Sequence, residues 1–430
     1  MDPSHLWTRH PSLPLLPTAV SRIVAPIATS VGVVLALLLP DAMANAGLER
    51  QWLLLLGLDA GLLALTTRRF RLRREDLGFL VVAAATLWPH LVTDPFRPTL
   101  GGVGSLAVLY AIGRLGGLAP RSLGFVVLTI GAFHGVIAIA ESVPALSSVV
   151  PFEPMKHGVV FEVTRATGLF NNPNTLGNLE AFGLIFAAVV GIGRKSLPLV
   201  LLCVVGLVLS SGRESVFGLL VGLCVLWFGP VRLALARSPA SWTALGLTNR
   251  RIIIVVVVVA AVAFMAVAIF PTSIAQSSIA RLNPLSFASD FDLLDRVHTW
   301  KAALAFVPGS PLVGYGEVLP VRVVDNAYLV WTLGGGVIGL MLWLGGLIAF
   351  TPPKARPLLA ALFSIALLAN PFAGTLLAAF LITCGAFAAA PTDAVYRGIA
   401  AATARWDGEA NAAASGGAGE AEEAPSPAIT

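Results

Sequence analysis

The stretch DNAYLVWTLGGGVIGLMLWLGGLIAF, residues 325–350, joins the polar pair Asp325-Asn326 directly to a long apolar run. A run of about 20 apolar residues crosses the hydrocarbon core of a bilayer as a helix. Asp and Asn are favoured N-cap residues, so one of the pair is predicted to cap this helix. The first half of the run contains four glycines: Gly334, Gly335, Gly336 and Gly339. The stretch therefore predicts a membrane helix that starts at a polar boundary.

The composition of the chain excludes an ordinary soluble protein. Of its 430 residues, 57% are hydrophobic and 12% are charged, whereas soluble domains carry about 25% charged residues. Apolar runs recur along the chain and predict an all-α polytopic membrane protein with one membrane domain, residues 1–390. About 12 transmembrane helices are predicted, at residues 23–40, 51–67, 77–93, 100–113, 122–142, 174–193, 197–211, 214–231, 252–270, 326–350, 357–370 and 372–390.

The distribution of basic residues predicts the orientation of these helices. If the N-terminus is cytoplasmic, 19 of the 28 Lys and Arg residues face the cytoplasm, most densely between Arg68 and Arg74. Short cytoplasmic loops are enriched in Lys and Arg, so both termini are predicted to be cytoplasmic. Two long extracytoplasmic segments follow, residues 143–173 and residues 271–325, the second between helices 9 and 10. Residues 391–430 are predicted to form a cytoplasmic tail that is disordered because few apolar residues are available for a core.

Other features of the sequence bear on the class of function. The net charge of +5 arises largely from loops between helices and does not indicate nucleic-acid binding. The three cysteines lack CxxC spacing, which favours neither a zinc site nor a disulfide framework. Asp290-Phe291-Asp292 resembles a metal-binding pair of acids, but we interpret it as a solvated loop and predict no metal. Residues 23–46 also fit a cleaved signal peptide, and we interpret them as a retained first helix.

An arginine lies in the polar stretch RATGLFNNPN, residues 165–174, just before the sixth predicted helix. Asn172 and Pro173 are typical of the N-cap and the first helical position. The start of a helix accounts for these two residues but not for Arg165 or Gly168 held beside a membrane surface. Structural and functional interpretations of Arg165 are both open at this point.

A second arginine lies in the turn SGRE, residues 211–214. Ser211 and Glu214 have the spacing of a capping box, so Ser211 is predicted to cap the next helix. Arg213 then projects from the first turn of that helix. An arginine at a membrane interface often only extends its side chain towards water, so a structural role is an equal alternative.

The third arginine, Arg296, lies in the long segment before Asp325. Residues 290–305 have the apolar spacing of a short helix on the surface. Gly314 and Gly316 follow, and they indicate tight backbone near a ligand or a turn. Asp325 stands at a helix start, where a carboxylate is favoured, so capping and proton acceptance are compatible roles. We predict that these polar boundaries open on one side of the membrane and form one site for an anionic ligand.

Five polar residues interrupt the apolar runs: Asp59, His90, His134, Asn178 and Glu180. Ionisable groups inside a membrane are functional candidates, although hydrogen bonds between helices are the preferred interpretation for most of them. Glu180 is the one nearest the predicted site, because it follows Asn174 by about a turn and a half.

Together, these stretches resemble the O-antigen ligase and polymerase family of bacterial surface polysaccharide assembly. The motifs, in the family's order, are Arg-x-x-Gly-x-Phe-x-Asn-Pro-Asn at 165–174, Ser-x-Arg at 211–213, Arg-x-x-x-Trp leading to Pro-Leu-x-Gly-x-Gly at 296–316, and a polar pair followed after nine residues by Gly-x-x-Gly at 325–339. The resemblance covers about residues 160–345, and the order of the four motifs is more specific than any one of them. The chain departs from the family at Asp325, where the ligases carry a histidine.

The resemblance implies a GT-C-like glycosyltransferase in the cell (inner or plasma) membrane, with its active site outside. The expected donor is a polyprenyl-diphosphate-linked glycan, and the expected acceptor is a glycan, a lipid or a wall component. Arg165, Arg213 and Arg296 are expected to bind the diphosphate and Asp325 to deprotonate the acceptor hydroxyl, without a cofactor. The further substrate-binding candidates are Asn174, Glu180, His298, Gly314, Gly316, Asn326 and Tyr328.

The replacement of the family histidine by Asp325 leaves alternatives open. His298 or His157 could act as the base instead, or the chain could be an inactive member of the family. Polymerisation and ligation are both consistent with the motifs. A transporter or flippase of the same lipid-linked material is the alternative outside enzymes.

Overall fold

A computed structural model of the chain describes residues 18–38, 40–45, 47–66, 72–93, 101–116, 118–147, 155–157, 163–191, 194–228, 273–282, 291–316, 319–320, 325–369 and 375–390. Within these ranges the regular structure is helical except for one short antiparallel ladder, in which Met155–His157 (β1) pairs with Val163–Arg165 (β2). The ninth predicted span, 252–270, and the predicted tail, 391–430, lie outside the described residues.

The helices, in chain order, are α1 Thr18–Leu38, α2 Pro40–Asn45, α3 Glu49–Thr66, α4 Arg74–Thr93, α5 Gly101–Leu115, α6 Pro120–Ser142, α7 Pro144–Ser147, α8 Pro173–Val190, α9 Leu197–Ser210, α10 Arg213–Phe228, α11 Ser273–Leu282, α12 Phe291–Phe306, α13 Ala327–Phe350, α14 Arg356–Ala366 and α15 Thr375–Ala389. Every other predicted span coincides with one of these helices. The short helix predicted at 290–305 is confirmed as α12.

Four helices are long and apolar enough to cross a membrane: α4, α6, α8 and α13. The chain is therefore a membrane protein, as its composition predicts. Shorter apolar helices occur at Ile23–Leu38, Val103–Leu115, α9 and α15. Twelve spans remain a prediction, because length and composition identify only these four among the described helices.

Antiparallel helix pairs organise the bundle through close backbone contacts at glycines. A Cβ on Gly218 of α10 would meet Ile365, and one on Gly222 would lie 3.1 Å from the carbonyl oxygen of Pro357. Successive turns of α10 therefore contact earlier turns of α14, so the two helices run in opposite directions. Small residues allow this close packing between apolar helices. The start of α10 consequently lies level with the end of α14.

The start of α8 lies at the same end of the bundle. The hydroxyl of Ser215, in the first turn of α10, donates to the side-chain oxygen of Asn178 on α8 at 2.7 Å. All three arginines singled out from the sequence stand at this end, which we call the arginine end and define by Arg165, Arg213 and Arg296.

The opposite end of the bundle has its own polar cluster. Asp76, at the start of α4, accepts from the hydroxyl of Tyr110 at 2.6 Å and from Nε and Nη2 of Arg114 at 2.9 and 3.1 Å. The Arg114 and Asp76 side chains are 9% and 7% exposed. Because α4 runs antiparallel to α13, with Gly78 against the backbone of Phe350, this buried ion pair lies at the far end of α13 from Asp325.

Candidate functional site

Arg165 is a buried residue that joins two helices at the arginine end. Its side chain lies at the end of β2 and is 2% exposed. Nε donates to the carbonyl oxygen of Ser210 at 2.8 Å and to Oγ of Ser211 at 3.0 Å, and Nη2 donates to Oδ1 of Asn174 at 2.6 Å. These bonds tie the end of α9 to the start of α8. Arg165 and Asn174 thus contact each other, and their binding to a substrate remains a prediction.

Glu141, which the sequence analysis did not single out, holds the loop that follows Arg165. Its carboxylate accepts from the backbone N–H groups of Thr167 at 2.8 Å and Gly168 at 3.2 Å, and from the Thr167 hydroxyl at 2.9 Å. Glu141 is 3% exposed, and these three donors offset part of the cost of burying its carboxylate. The sequence signal that could have identified Glu141 is its position, because it is an acidic residue at the end of an apolar run and next to a polar segment.

His134 and the N-cap of α8 hold the remainder of this loop in place. Nδ1 of His134 accepts from the backbone N–H of Leu169 at 3.3 Å, and the imidazole stacks on Phe170 with ring centroids 4.2 Å apart. Asn172 accepts from the backbone N–H of Asn174 at 2.8 Å and caps α8, with Pro173 in the first turn. The predicted cap is confirmed, and the bonding of His134 agrees with a structural role.

The capping box predicted at Ser211 and Glu214 is wrong. Ser211 has a left-handed backbone (φ 48°) and ends α9, and its N–H donates to Val208. Its hydroxyl accepts from Arg165, a residue 46 positions earlier. α10 instead begins after Gly212, whose carbonyl accepts the first helical hydrogen bonds. The local pattern assigned the Ser211 hydroxyl oxygen to a helix cap, but this oxygen accepts from a charged donor that is far away in the sequence.

Arg213 stands at the start of α10 and is partly buried. Its Nε donates to the carbonyl oxygen of Arg281 at 2.6 Å. This bond attaches the last turn of α11 to the arginine end, and α11 also contacts β2, the strand that carries Arg165. Arg165 bonds to the Ser211 turn, and Arg213 directly follows this turn in the chain. The two arginines are therefore joined through a short stretch of backbone.

Arg296 and Asp325 form an ion pair. Nε of Arg296 lies 3.3 Å from Oδ2 of Asp325, and the two side chains are 17% and 36% exposed. Asn326, not Asp325, caps α13, because its Oδ1 accepts from the backbone N–H of Leu329 at 3.0 Å. The prediction that one of the pair is the cap is confirmed, and the Asp325 carboxylate faces Arg296 instead.

Three predicted site residues also bind the last turn of α14 or the turn that follows it. Arg296 donates to the carbonyl oxygen of Leu368 at 2.8 Å, Asn326 to that of Leu367 at 3.2 Å, and the Tyr328 hydroxyl to that of Phe363 at 2.9 Å. The carbonyls at a helix end lack partners within the helix, and a cation there is favoured by the helix dipole. These side chains therefore join α12 and α13 to α14 in addition to any role towards a ligand.

Gly314 and Gly316 lie in a loop that packs into a break in α13. Gly336 has φ 63° and ψ −166° and interrupts the helix. The loop 311–316 supplies partners for the interrupted backbone: Tyr315 N to Leu333 O at 2.7 Å, Gly316 N to Gly334 O at 2.9 Å, Val337 N to Pro311 O at 2.9 Å and Ile338 N to Leu312 O at 3.1 Å. Nε1 of Trp88 on α4 donates to Gly335 O at 3.0 Å.

This contact brings together the glycines of two of the motifs. A Cβ on Gly314 would lie 2.5 Å from Gly334 O and from Gly336 N, so the glycines allow backbone to pack on backbone. The break lies about 13 Å along α13 at 1.5 Å per residue. Irregular backbone at membrane depth is tolerated only where protein satisfies its polar groups. Gly314 and Gly316 thus have a packing role, and substrate binding by them remains a prediction.

Glu180 and His298 are not part of this assembly. Glu180 is fully buried near the middle of α8, where a Cβ on Gly131 or on Gly206 would lie 2.7 Å from its carboxyl oxygens. Its oxygens accept no hydrogen bond from the part of the chain that the structure describes. His298 is exposed on α12, and its role as a ligand or base remains a prediction.

The fold and the arginine end define an α-helical membrane protein with a cluster of cationic side chains at one end of its bundle. No family model matches the chain, and no curated protein matches it. Among the described residues, no group of three or more His, Cys, Asp or Glu side chains is arranged to hold a metal. The ordered motifs and the geometry around them therefore carry the functional argument.

Proposed function

We propose that the protein transfers a glycan from a polyprenyl-diphosphate carrier to an acceptor hydroxyl at the outer face of the cell membrane. The observation that carries this proposal is the Arg296–Asp325 pair, 3.3 Å apart, at the end of the bundle where Arg165 and Arg213 also lie. The pair places a guanidinium suited to a phosphate beside a carboxylate suited to accept a proton. The order of the four sequence motifs supports the proposal independently of the geometry.

The reaction needs one bond to form and one to break. The acceptor oxygen attacks the anomeric carbon, its proton passes to Asp325, and the carbon–oxygen bond to the diphosphate breaks with its electron pair on the leaving diphosphate. In-line attack inverts the anomeric carbon. Fixed guanidinium groups stabilise the charge that develops on the diphosphate, and they act without a metal.

The arginines take different roles in this proposal. Arg213 and Arg296 are partly exposed and are the direct ligands of the diphosphate. Arg165 is 2% exposed and donates to the protein, so it acts as a positioning residue that fixes the start of α8. Asn326 and Tyr328 hold α13 in place beside the acceptor.

The orientation in the membrane follows from the positive-inside pattern. We place both termini in the cytoplasm, the arginine end outside, and about 12 GT-C-like spans in the cell (inner or plasma) membrane. In this orientation the donor's lipid tail lies in the outer leaflet and its diphosphate lies level with the arginine end. The acceptor, whether a second lipid-linked glycan, a lipid or a wall component, approaches from the outside.

A transporter of the same lipid-linked glycan is the second candidate, and the break in α13 is the observation that favours it. Transporters bind their substrates at broken helices near the middle of the membrane. In this protein, however, the backbone groups on both sides of Gly336 bond to the loop 311–316 and to Trp88. The break is thus closed by the chain itself, which favours transfer at the arginine end over transport.

The test uses purified protein in nanodiscs, given a polyprenyl-diphosphate oligosaccharide with and without membrane extract, with products identified by mass spectrometry. Longer glycans on the polyprenyl carrier identify a polymerase, and a glycan moved to another acceptor identifies a ligase. Unchanged donor in the presence of native extract would refute transfer and favour transport or an inactive member.

A matched pair of variants tests the base. Asp325→Asn keeps the shape of the side chain and should lower the rate of transfer by about 100-fold or more. Asp295→Asn removes an exposed carboxylate one residue from Arg296 and should leave the rate unchanged. Full activity in Asp325→Asn would remove Asp325 from the mechanism.

A further inference from the structure

We propose that the Asp325 carboxylate occupies the position beside Arg296 that a phosphate oxygen of the donor would take. Binding of the diphosphate then displaces Asp325, which becomes free to act as the base. This inference rests on the proposed function and adds an order to it. The donor binds first, and the acceptor is activated only afterwards.

Several features of the Arg296–Asp325 ion pair favour exchange of its anionic partner. The contact joins Nε and Oδ2 at 3.3 Å, and more than a third of the Asp325 side chain is exposed. Ion pairs that are partly exposed add little to stability. The cap of α13 is supplied by Asn326, so α13 does not need the Asp325 side chain in order to begin where it does.

The guanidinium of Arg296 keeps its position without Asp325. Its Nη1 donates to the carbonyl oxygen of Leu368 at 2.8 Å. In addition, α12 packs on the first half of α13 through a small apolar cluster: Ala303, Leu333, Val307, Tyr315, Leu319, Leu329 and Val330. The cation is therefore preorganised by backbone and packing, and only its anionic partner is free to change.

The described hydrogen bonds of the other two arginines differ from this ion pair. Arg165 bonds to neutral acceptors on three residues and is almost fully buried. Arg213 bonds to the backbone carbonyl of Arg281. Displacing a backbone carbonyl would loosen the fold, whereas displacing Asp325 exchanges one anion for another.

Chemistry favours the diphosphate in that exchange. Carboxylate and phosphate oxygens both suit a guanidinium, which can donate two parallel hydrogen bonds to either. A diphosphate carries more than one negative charge and, in the proposed function, binds Arg213 as well. While Oδ2 of Asp325 faces Arg296, this oxygen is not directed at an acceptor hydroxyl. Displacement by the diphosphate frees it to accept the proton.

The experiment measures equilibrium binding of polyprenyl diphosphate, without a glycan, to the protein in nanodiscs. Asp325→Asn should bind it about three- to tenfold more tightly than the unmodified protein does, because the internal competitor has been removed. Asp295→Asn should bind it as the unmodified protein does. Equal or weaker binding by Asp325→Asn would overturn the proposal, and equal tightening by Asp295→Asn would reduce it to a general effect of charge.

A double-mutant comparison separates displacement from repulsion. In an Arg296→Met background, which leaves no donor at this position for either anion, Asp325→Asn should no longer change the affinity. An affinity gain that persisted there would show that Asp325 acts on the ligand directly and would overturn the exchange.

The outcomes for the unmodified protein separate this inference from the function on which it rests. Absence of polyprenyl diphosphate binding by correctly inserted, unmodified protein would contradict the proposed function itself. Binding by the unmodified protein, with no gain in Asp325→Asn, would leave the function intact and reject only the exchange.

Discussion

Replacing Gly336 by alanine should destabilise the protein strongly, because this residue combines an unusual backbone with a close contact. Its φ of 63° and ψ of −166° lie in a region that is essentially restricted to glycine, at a cost of roughly 1–3 kcal/mol for another residue. A Cβ would also overlap the carbonyl of Leu312. Relieving that overlap separates the loop from α13 and breaks the bonds of Val337 and Ile338 to it. Each of these groups left unpaired away from water costs about 1–3 kcal/mol, so the total loss is at least about 3 kcal/mol.

Gly345, in the second half of the same helix, provides the matched control. A Cβ there meets nothing within 4 Å, so Gly345→Ala should be neutral or stabilising by up to about 1 kcal/mol. The free energy of unfolding can be measured by SDS titration in mixed micelles, followed by near-ultraviolet circular dichroism. If Gly336→Ala unfolds at the same SDS fraction as Gly345→Ala, the account of the broken helix is refuted.

Three further predictions concern other parts of the bundle. Asp76→Asn leaves the partly buried Arg114 without its anionic partner and should cost about 1–3 kcal/mol in the same titration; a loss within error of zero would contradict the ion pair. Glu141→Gln loses part of its bonding to the loop that follows Arg165, so the free energy of unfolding should fall by about 1–3 kcal/mol and the rate of transfer several-fold, and an unchanged rate would remove Glu141 from the positioning of that loop. Burial lowers the pKa of Lys354 from 10.5 to about 8. The unfolded chain therefore binds more protons than the folded protein between these values, and stability rises with pH across that window. Lys354→Met should lack this rise, and a rise of the same size in Lys354→Met would exclude Lys354 as its cause.

Most helix positions could be predicted from the sequence because hydropathy is a local property. The span predicted at 326–350 begins one residue from the observed start of α13. The caps at Asn172 and Asn326 were also predictable, since each bonds to an N–H within three residues. Local patterns are reliable where the partner is close in the chain.

The arrangement of the site was not predictable in this way, because its contacts join residues far apart in the sequence. The hydroxyl of Ser211 is used by Arg165 rather than by its own helix. The carbonyls at the end of α14 are bonded by side chains 35 to 72 positions earlier. The glycines of the two late motifs pack on each other, which spacing alone does not reveal. The sequence could identify the residues of the site, but not which of them would contact one another.

The break in α13 also has a consequence for the way the protein is made. Within the described part of the chain, the partners that bond the interrupted backbone are Trp88 and the loop 311–316, and both precede α13. Synthesis proceeds from the N-terminus, so these partners have left the ribosome before Gly336 does. The two halves of the helix therefore enter the bilayer after the groups that satisfy their exposed carbonyls and amides have already been made.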